Sequence, residues 1–474
     1  MGYKTIIGLE IHSELLTKSK IFCNCTTEFG GDANTHCCPV CLGLPGALPV
    51  LNKKVVEYGI RAGLAFDCEI SDYTKMDRKN YYYPDLVKGY QISQYDLPLC
   101  KEGYVDINTD EGTKKVRLIR IHIEEDTGKS IHSIDGGTLL DYNRSGVPLI
   151  EIVTYPDMNS PEEAKEFLEK LKAVLQYIDV SDCKMEEGSL RCDVNINVMD
   201  EETGKKTTVT ELKNLNSFKS AVKAMEYEQE RHINLLKKGE DALRETRRWD
   251  EAKGETITMR VKEDASDYRY FPEPDIVDLN IEKEWVDEIR DNLPELPHDK
   301  MDRFIKEYDL PEYDASVLIS TKALADFFEE AVEYAKNPKE VSNWVMGDIS
   351  RRLKDEDIEI YEMKFGPKEL GDLIKLIEDG KISNNIGKKV LRTMFEEGGN
   401  PNKIVEEKGL IQINDEDEIK KIVLKVMEEN PQSIEDYKNG KDRALGFLVG
   451  QVMKATRGKA NPQKVNQFIR EEIN

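Results

Sequence analysis

The N-terminal half of the chain contains segments in which apolar and polar residues alternate. Ile7, Leu9 and Ile11 fall on one face of such a segment, and Glu10 and His12 fall on the other. A period of two predicts a β-strand with one buried and one polar face. The same pattern recurs in residues 115–125 and 184–212, and residues 149–153 form a short apolar run. We therefore expect a sheet that presents polar side chains on one face.

Helical periodicity follows these strands and then dominates the chain. Ser160, Pro161 and Glu163 have the spacing of a helix start with a capping box. Ser217 predicts the start of a second helix that runs to about Gly239. The segment RRWDEAKGETITMRVK then alternates as a hairpin does.

The pattern of apolar and polar residues changes at the proline-rich segment LPELPHD, near residue 295, which predicts a domain boundary. Beyond it nearly every segment has a helical period, as in TKALADFFEEAVEYAK with Thr321 as its cap. The sequence therefore predicts an α+β protein with three parts. These are a mixed α/β domain over residues 1–294, an all-helical domain over residues 295–405, and a small helical tail domain over residues 406–474.

The composition limits the class of protein. The chain has 474 residues, with 68 basic and 92 acidic side chains and a formal net charge of −24. This acidity argues against general adhesion to nucleic acid, although a local basic patch is compatible with it. No apolar run approaches the ~20 residues of a membrane span, and the start MGYKTIIGLEIH lacks the features of a signal peptide. We expect a cytoplasmic protein with no membrane partner.

Five of the nine cysteines lie within nineteen residues, in the pattern Cys-x-Cys, twelve residues, Cys-x-x-Cys. Four thiolates on two short loops are typical of a structural zinc site, and the alternative is a set of free thiols. The spacing does not decide which four of the five bind, and His36 is an alternative ligand. The predicted zinc ligands are Cys23, Cys25, Cys38 and Cys41, with Cys37 as the fifth cysteine.

Carboxylates embedded in the strand patterns form a second candidate site. Glu10 and His12 project to the same side of one strand, and His122 and Glu124 do so on another. If these strands meet around one cleft, their acids converge. Carboxylates with an imidazole suit Mg²⁺ or Mn²⁺, and such sites usually serve phosphate substrates. The alternative is that these acids are solvated, as most of the 92 acidic residues must be.

Two segments combine tyrosines with basic residues, DRKNYYYPD at residues 77–85 and DYRYFPEPD at residues 267–275. Such residues can stack a base and hold phosphates, or the tyrosines can pack on the core beside proline-terminated loops. The motifs GxxxxGK[ST], GxGxxG after a strand and GxSxG are absent. A nucleotide would therefore occupy an unconventional site.

A stretch of thirty residues near the C-terminus departs from the acidic trend. Residues 441–470 carry seven cations against the single acid Asp442. A basic patch on an acidic protein localises nucleic-acid binding, although a solvated basic helix is the alternative. The cations predicted to contact nucleic acid are Lys441, Lys454, Arg457 and Lys459.

Long motifs distributed over nearly the whole chain resemble one family. They are IGLEIHSEL, DRKNYYYPDLVKGYQISQ, RIHIEEDTGKS, NRSGVPLIEIV, KMEEGSLRCDVNI, ELKNLNSF, DYRYFPEPD and GFLVGQVMKATRGKANP. They are similar to the B subunit of the tRNA-dependent amidotransferase, and they occur in the same order. The resemblance implies a cradle domain of mixed α/β fold, a helical domain and a tail domain that binds tRNA. It also implies a cytoplasmic heterotrimer with an A subunit, which is the glutaminase, and a C subunit.

The resemblance further implies the reaction. The enzyme is an ATP-dependent carbon–nitrogen ligase that converts mischarged Glu-tRNA(Gln), Asp-tRNA(Asn) or both to Gln-tRNA(Gln) and Asn-tRNA(Asn). The B subunit phosphorylates the side-chain carboxylate with ATP and Mg²⁺ (or Mn²⁺), and ammonia from the A subunit displaces the phosphate. Some members of the family lack the cysteines, so zinc is expected to brace the structure only.

The resemblance also assigns residues. Magnesium ligands are expected at Glu10, His12, Glu124, Glu125, Glu151, Asp193 and Glu211. Glu10, Glu125 and Lys79 are the expected catalytic residues, and Arg191, Lys213 and Asn214 the expected contacts to ATP. Lys79, Tyr81 and Tyr83 are expected near the ammonia entry or the nucleotide. Two other hypotheses remain, a zinc-containing tRNA scaffold without chemistry and a stand-alone kinase acting on a small carboxylate.

Overall fold

The computed structural model describes most of the chain. The described residues are 2–132, 136–261, 268–356, 358–411, 416–438, 441, 443–456 and 459–473. The chain divides into two compact units, Met1–Leu296 and Pro297–Asn474. Within the described residues, no helix is both long and apolar enough to cross a membrane.

Unit one is built on β-strands. They are β1 (Tyr3–Glu14), β2 (Glu69–Ile70), β3 (Tyr73–Thr74), β4 (Asp77–Asn80), β5 (Tyr90–Ser93), β6 (Cys100–Lys101), β7 (Tyr104–Thr109), β8 (Gly112–Glu125), β9 (Lys129–His132), β10 (Thr138–Asp141), β11 (Pro148–Thr154), β12 (Leu190–Asp200), β13 (Thr210–Lys213), β14 (Glu245–Asp250), β15 (Glu255–Val261), β16 (Phe271–Pro272) and β17 (Leu279–Asn280). The alternating segments of the sequence correspond to β1, β8 and β12, and the predicted hairpin is β14 with β15.

One large sheet holds the centre of this unit. Its strand order is β15-β14-β13-β12-β1-β11-β8-β6-β2, with β7 paired to β8. Within the described residues, β13 and β14 are its parallel pair, and its other pairings are antiparallel. A separate small sheet has the order β16-β4-β5. The long strand β1 therefore lies between β11 and β12, where its polar residues meet those of both neighbours.

Helices cover the apolar face of the sheet. They are α1 (Lys53–Ala65), α2 (Pro161–Tyr177), α3 (Phe218–Lys238) and α4 (Lys283–Asp291). Apolar residues of these helices share one core with Ile7, Leu9 and Ile11 of β1, all of which are buried. Burial of one face by the helices leaves the polar face, with Glu10 and His12, free to form a site.

The predicted helix starts are confirmed in position, with one difference in detail. The side chains of Ser160, Ser217 and Thr321 each accept a hydrogen bond from a backbone N–H in the first turn. The capping box at Glu163 is only half formed. Its carboxylate accepts from the backbone N–H of Asn159 at 2.6 Å, and it also bonds Lys114. The ammonium of Lys114, on β8, donates to the same Glu163 oxygen at 2.8 Å.

Unit two is helical throughout its described part. Its helices are α5 (Pro297–Tyr308), α6 (Glu312–Leu318), α7 (Lys322–Ala335), α8 (Pro338–Trp344), α9 (Ser350–Glu356), α10 (Pro367–Glu378), α11 (Asn384–Glu397), α12 (Pro401–Glu407), α13 (Glu416–Glu429), α14 (Pro431–Lys438), α15 (Arg443–Ala455) and α16 (Pro462–Ile473). A π-helical turn joins α8 to α9. Apolar residues of α13, α15 and α16 form a core of their own around Val423, Leu448 and Ile469. The α+β class predicted from the sequence is confirmed.

Candidate functional site

Strand pairing brings the predicted acids together on the polar face of the sheet. His12 is paired with Glu151 of β11, and Glu151 is paired in turn with His122 of β8. On the other side of β1, Glu10 is paired with Asp193 of β12. Glu151 and Asp193 belong to strands on opposite sides of β1. The side chains therefore form two neighbouring groups along β1 and not one set.

The first acid group consists of His12, Glu124 and Glu151, with His122 beside them. The Nε2 atom of His12 lies 3.4 Å from a Glu124 oxygen and 3.6 Å from a Glu151 oxygen. His122 Nε2 lies 3.2 Å from Glu151. Both carboxylates are buried. The sequence pattern placed His122 on the same strand face as Glu124, yet His122 was absent from the predicted ligands.

Burial and opposite charge set the protonation of this group. Burial acts against ionisation, but the hydrogen bonds of His12 and His122 lower the pKa of Glu124 well below its usual range. The same opposition leaves the pKa of Glu151 at about 2, mainly because of His122 and His12. Burial disfavours the His12 cation, yet Glu124 and Glu151 raise the pKa of His12 to about 9. The pair of carboxylates is therefore strongly attractive to cations.

The second acid group consists of Glu10, Asp193 and Glu211. Burial, and then the charge of Glu151, raises the pKa of Glu10. The amide of Asn195 donates to Glu10 at 2.9 Å. The ammonium of Lys213 bonds Asp193 and lies 3.2 Å from Glu211. Lys213, predicted as an ATP contact, thus places a cation among three acids.

Each acid group fits a divalent cation. In each group, one ligand atom per residue lies within 4.8 Å of the others. Magnesium bonds of about 2.1 Å hold opposite ligands roughly 4.2 Å apart, so small side-chain movements close either group around one ion. Carboxylate oxygens with at most one imidazole match the preferences of Mg²⁺ and Mn²⁺.

Glu125 belongs to neither of these two groups, which departs from the predicted ligand set. Adjacent residues of β8 project to opposite faces, and Glu125 points away from Glu124. Its carboxylate accepts from Lys88 Nζ at 2.5 Å and from the backbone N–H of Ile92 at 2.8 Å. With Lys88 and Asp275 it lines a cavity of about 190 Å³ that also borders Cys41.

The two remaining predicted ATP contacts differ in their surroundings. Arg191 is paired with His12 across β1 and β12, and its guanidinium bonds Asp126 at 2.5 Å. Asn214 is exposed, directly after β13, with a left-handed φ of 62°. Arg191 is thus close to the first group, whereas Asn214 follows the second along the chain.

Lys79 lies among tyrosines from two distant segments. Its ammonium is 4.9 Å from the ring centre of Tyr268 and 5.9 Å from that of Tyr81. The rings form a continuous series of contacts, here called the tyrosine cluster, made of Tyr81, Tyr83, Tyr95, Tyr268 and Tyr270. Asp267, in the same motif, lies outside the described residues. Burial opposes the Lys79 charge, but the charges of Glu124 and Glu151 raise its pKa.

Four cysteines form a group that could hold a metal ion. The sulfur atoms of Cys23, Cys25, Cys38 and Cys41 lie within 4.8 Å of one another, whereas Cys37 is outside the group. A hydrogen bond from Cys23, and then one from the backbone of Cys38, lowers the pKa of Cys41 to about 4. A thiolate is the form that binds zinc, and four sulfurs at this spacing fit its tetrahedral shell. The geometry therefore favours these four of the five cysteines.

The basic segment near the C-terminus surrounds α15. Lys441 bonds Asp436 at 3.0 Å, Lys454 is exposed, and Lys459 is half-buried. Arg457 and Asp442 lie outside the described residues. Contact of these cations with nucleic acid remains a prediction.

Two family models match the chain. The family described as the GatB/GatE catalytic domain matches residues 5–287, and the one described as the GatB domain matches residues 326–473. The first covers the acid groups, the cysteine group and the tyrosine cluster, and the second covers most of unit two.

Curated relatives are similar over the full length. A protein of Thermoanaerobacter pseudethanolicus is 60% identical over 474 residues, which is all of both chains. One of Clostridium tetani is 59% identical over all of this chain and 99% of its own, and one of Caldicellulosiruptor saccharolyticus is 58% identical with the same coverage. Each is named as the B subunit of an aspartyl/glutamyl-tRNA(Asn/Gln) amidotransferase. The chain therefore belongs to the GatB family, the B subunits of this amidotransferase.

Proposed function

We propose that this chain is the subunit of a glutamine-dependent amidotransferase that activates the side-chain carboxylate of mischarged Glu-tRNA(Gln), Asp-tRNA(Asn) or both. The observation that carries the proposal is the pair of acid groups along one face of β1, in a chain 60% identical to a named B subunit. Such focused negative charge repels RNA phosphates unless a cation is present, which disfavours a scaffold that only binds tRNA.

The chemistry requires two displacements. The carboxylate oxygen of the aminoacyl group attacks the γ-phosphorus of ATP, and ADP leaves. Ammonia nitrogen then attacks the carbonyl carbon of the acyl phosphate, phosphate leaves, and the amide remains. A bound Mg²⁺ or Mn²⁺ supplies neutralisation of phosphate oxygens and fixes their alignment. Each of the two acid groups could hold such an ion, and the four cysteines would hold a structural zinc.

The cationic side chains have distinct tasks in this proposal. Lys213 neighbours the second group and would contact ATP phosphates, as would Arg191 beside the first. Asn214, directly after β13, would also contact ATP. Lys79, whose pKa Glu124 and Glu151 raise, would draw the substrate carboxylate towards the first group. Ion pairs with acidic side chains hold Lys213 and Arg191 in place.

Glu125 and Lys88 line a cavity that is separate from the two acid groups. Glu125 directly follows Glu124 of the first group along β8. The charged ends of Glu125 and Lys88 would form hydrogen bonds with ammonia that enters this cavity. The role of Glu125 in this proposal is therefore in the second displacement and not in holding a cation.

The partners follow from the same reaction. Ammonia would come from the A subunit, a glutaminase, in a cytoplasmic heterotrimer completed by the C subunit. The tail domain would hold tRNA(Gln), tRNA(Asn) or both through Lys441, Lys454, Arg457 and Lys459.

Two conservative variants test the proposal. In the complete three-subunit enzyme, Glu10→Gln and Glu125→Gln should each lower amidation roughly 100-fold or more and leave tRNA affinity unchanged. Glu111→Gln, on the exposed turn between β7 and β8, is the matched control. Amidation measured with charged tRNA and binding measured with uncharged tRNA give the two readouts. Equal loss of both would count against catalytic roles for these carboxylates.

A further inference from the structure

The cysteine group and the Lys88–Glu125 pair border one cavity. Cys23, Cys41 and Gly43 line it together with Lys88 and Glu125, and its volume is about 190 Å³. Glu125 and Lys88 are the side chains that would meet ammonia in the proposed function. The segment that carries the cysteines therefore forms a wall of the space in which the second displacement is proposed.

Gly43 belongs to the same short turn as two of the four cysteines. The backbone N–H of Leu42 donates to the carbonyl of Cys38, and that of Gly43 donates to the carbonyl of Val40, both at 3.0 Å. The backbone N–H of Cys38 donates to Sγ of Cys41 at 3.1 Å. A metal ion bound by Cys38 and Cys41 would hold this turn, and Gly43 with it, in place.

Gly43 packs against the stem of Lys88 and leaves no room for a side chain. Its backbone is left-handed, with a φ of 62°, and a Cβ atom added there would lie 2.5 Å from Cγ of Lys88. Carbon atoms in favourable contact are about 3.5–4.0 Å apart, so these two atoms would clash. The stem is also held at its far end, because the Lys88 ammonium donates to both Glu125 oxygens at 2.5 and 2.6 Å. Gly43 therefore fixes the path by which Lys88 reaches Glu125.

We propose that the turn at residues 38–43 positions Lys88 against Glu125, so that the cysteine group serves the ammonia step as well as bracing the chain. The inference rests on the proposed function, which assigns the second displacement to the Glu125 cavity. Gly43 and the cysteines are positioning residues in this scheme, since they act through Lys88.

A displaced Lys88 should uncouple the two displacements. The acyl phosphate still forms and ADP leaves, but ammonia is no longer held beside it. Water oxygen then attacks the carbonyl carbon, phosphate leaves, a proton is released and the carboxylate is regenerated. ATP is consumed without amide, so the yield of amide per ADP reports the position of Lys88.

The test compares two glycines of the same loop. Gly43 and Gly46 both have a left-handed φ, of 62° and 85°. A Cβ atom at Gly46 meets no atom within 4 Å, whereas one at Gly43 meets Lys88. Gly43→Ala and Gly46→Ala therefore introduce similar backbone strain, and only the first disturbs Lys88.

Both variants are prepared as the complete three-subunit complex with glutamine as the amido donor. Zinc content, thermal unfolding, ADP formation with charged tRNA and amide formation are measured. We expect Gly43→Ala to lower the amide formed per ADP roughly tenfold, with Gly46→Ala close to wild type and zinc retained in both. An unchanged yield in Gly43→Ala, or equal loss of ADP and amide, would overturn the inference, because a merely structural defect lowers both products together.

A thermodynamic cycle keeps the test decisive if Gly43→Ala does not fold. Lys88→Ala removes the Cγ atom that the new methyl group meets. In that background Gly43→Ala should lower the midpoint of thermal unfolding no more than Gly46→Ala does. A larger effect would overturn the assigned contact. The proposed function fails separately, through the absence of charged-tRNA-dependent ATP hydrolysis in the wild-type complex.

Discussion

The pKa values of individual side chains in the site are set by burial and by the charge of a specific neighbour. Glu151 has a pKa of about 2 because two histidines outweigh the effect of burial. Glu10 is affected in the opposite direction, since burial and the nearby Glu151 both raise its pKa. Two carboxylates on neighbouring strands therefore differ in acidity, and a cation would stabilise Glu10 more than Glu151. This difference is typical of functional sites.

The cysteine group gives a prediction about single residues. Cys41→Ser should remove bound zinc and lower the midpoint of thermal unfolding by roughly 5 °C, because metal binding stabilises the folded chain. Zinc content by elemental analysis and a thermal scan are the measurements. Cys37→Ser is the control and should keep both properties, since Cys37 lies outside the group. Loss of zinc in both variants, or in neither, would contradict the assigned ligands.

The sequence predicted the strand faces on which the candidate residues lie better than it predicted which of them meet. Alternation correctly placed Glu10 and His12 on one face of β1, and the spacing Cys-x-Cys to Cys-x-x-Cys correctly indicated the cysteine group. The same alternation separates Glu124 from Glu125, which the predicted ligand set did not respect. Division into two groups depends on which strands neighbour β1, and alternation within one strand contains no such information.

Among the strands, the parallel pair β13 and β14 supports the second acid group. Glu211 is paired with Thr246, and the Thr246 hydroxyl donates to the Glu211 carboxylate at 2.7 Å. Thr246 is buried, so its hydroxyl is held in one orientation. It therefore fixes the position of Glu211, a candidate metal ligand.

Replacement of Thr246 tests the role of this hydroxyl. Thr246→Val keeps the branched shape and removes the donor, so binding of Mn²⁺ to the second group should weaken about tenfold. Thr246→Ser should restore it. Titration followed by electron paramagnetic resonance measures the affinity. Thr256→Val is the control: it removes, from the neighbouring strand β15, a hydroxyl that donates to Glu228 of α3, and it should leave Mn²⁺ affinity unchanged. An equal effect of both valine variants would indicate a general loss of structure.

A buried charge network on helix α3 gives a prediction about pH. Glu228 bonds Arg231 at 2.7 Å and Arg247 at 3.1 Å, and it lies 3.3 Å from His232. Burial opposes its charge, but His232 and Arg231 lower its pKa to about 2. Its ordinary pKa is about 4.5, so its stabilisation is fully present above that pH and is lost as the pH falls towards 2.

We expect Glu228→Gln to cost about 3 kcal/mol of unfolding free energy at pH 7 and to flatten the decline of stability between pH 5 and pH 3. Denaturant unfolding at a series of pH values measures both. Glu251→Gln is the control, because Glu251 is solvent-exposed and water screens its contacts with Lys223 and Trp249. A cost for Glu251→Gln as large as that for Glu228→Gln would contradict the role given to burial.

Element boundaries followed the local signals closely, because caps are local. Ser160, Ser217 and Thr321 begin helices where the sequence placed them. Pairings between distant segments could not be read from the sequence. The contact of β16 with β4, which creates the tyrosine cluster, joins residues 271–272 to residues 77–78. The sequence therefore did not indicate that the two tyrosine motifs are adjacent.

At the scale of the whole molecule, the candidate sites and the basic segment lie in separate units. Unit one contains the acid groups, the cysteine group and the tyrosine cluster, and unit two contains the basic segment around α15. The net charge of −24 makes that segment the exception on an acidic chain.

The central claim is that this chain activates a carboxylate on a charged tRNA. The most direct measurement is ATP hydrolysis by the reconstituted three-subunit complex with Mg²⁺, in which Glu-tRNA(Gln), Asp-tRNA(Asn) and uncharged tRNA are compared. We predict hydrolysis with one or both mischarged tRNAs and none above background with uncharged tRNA. Hydrolysis that is independent of the aminoacyl group, or absent with all three tRNAs, would contradict the account.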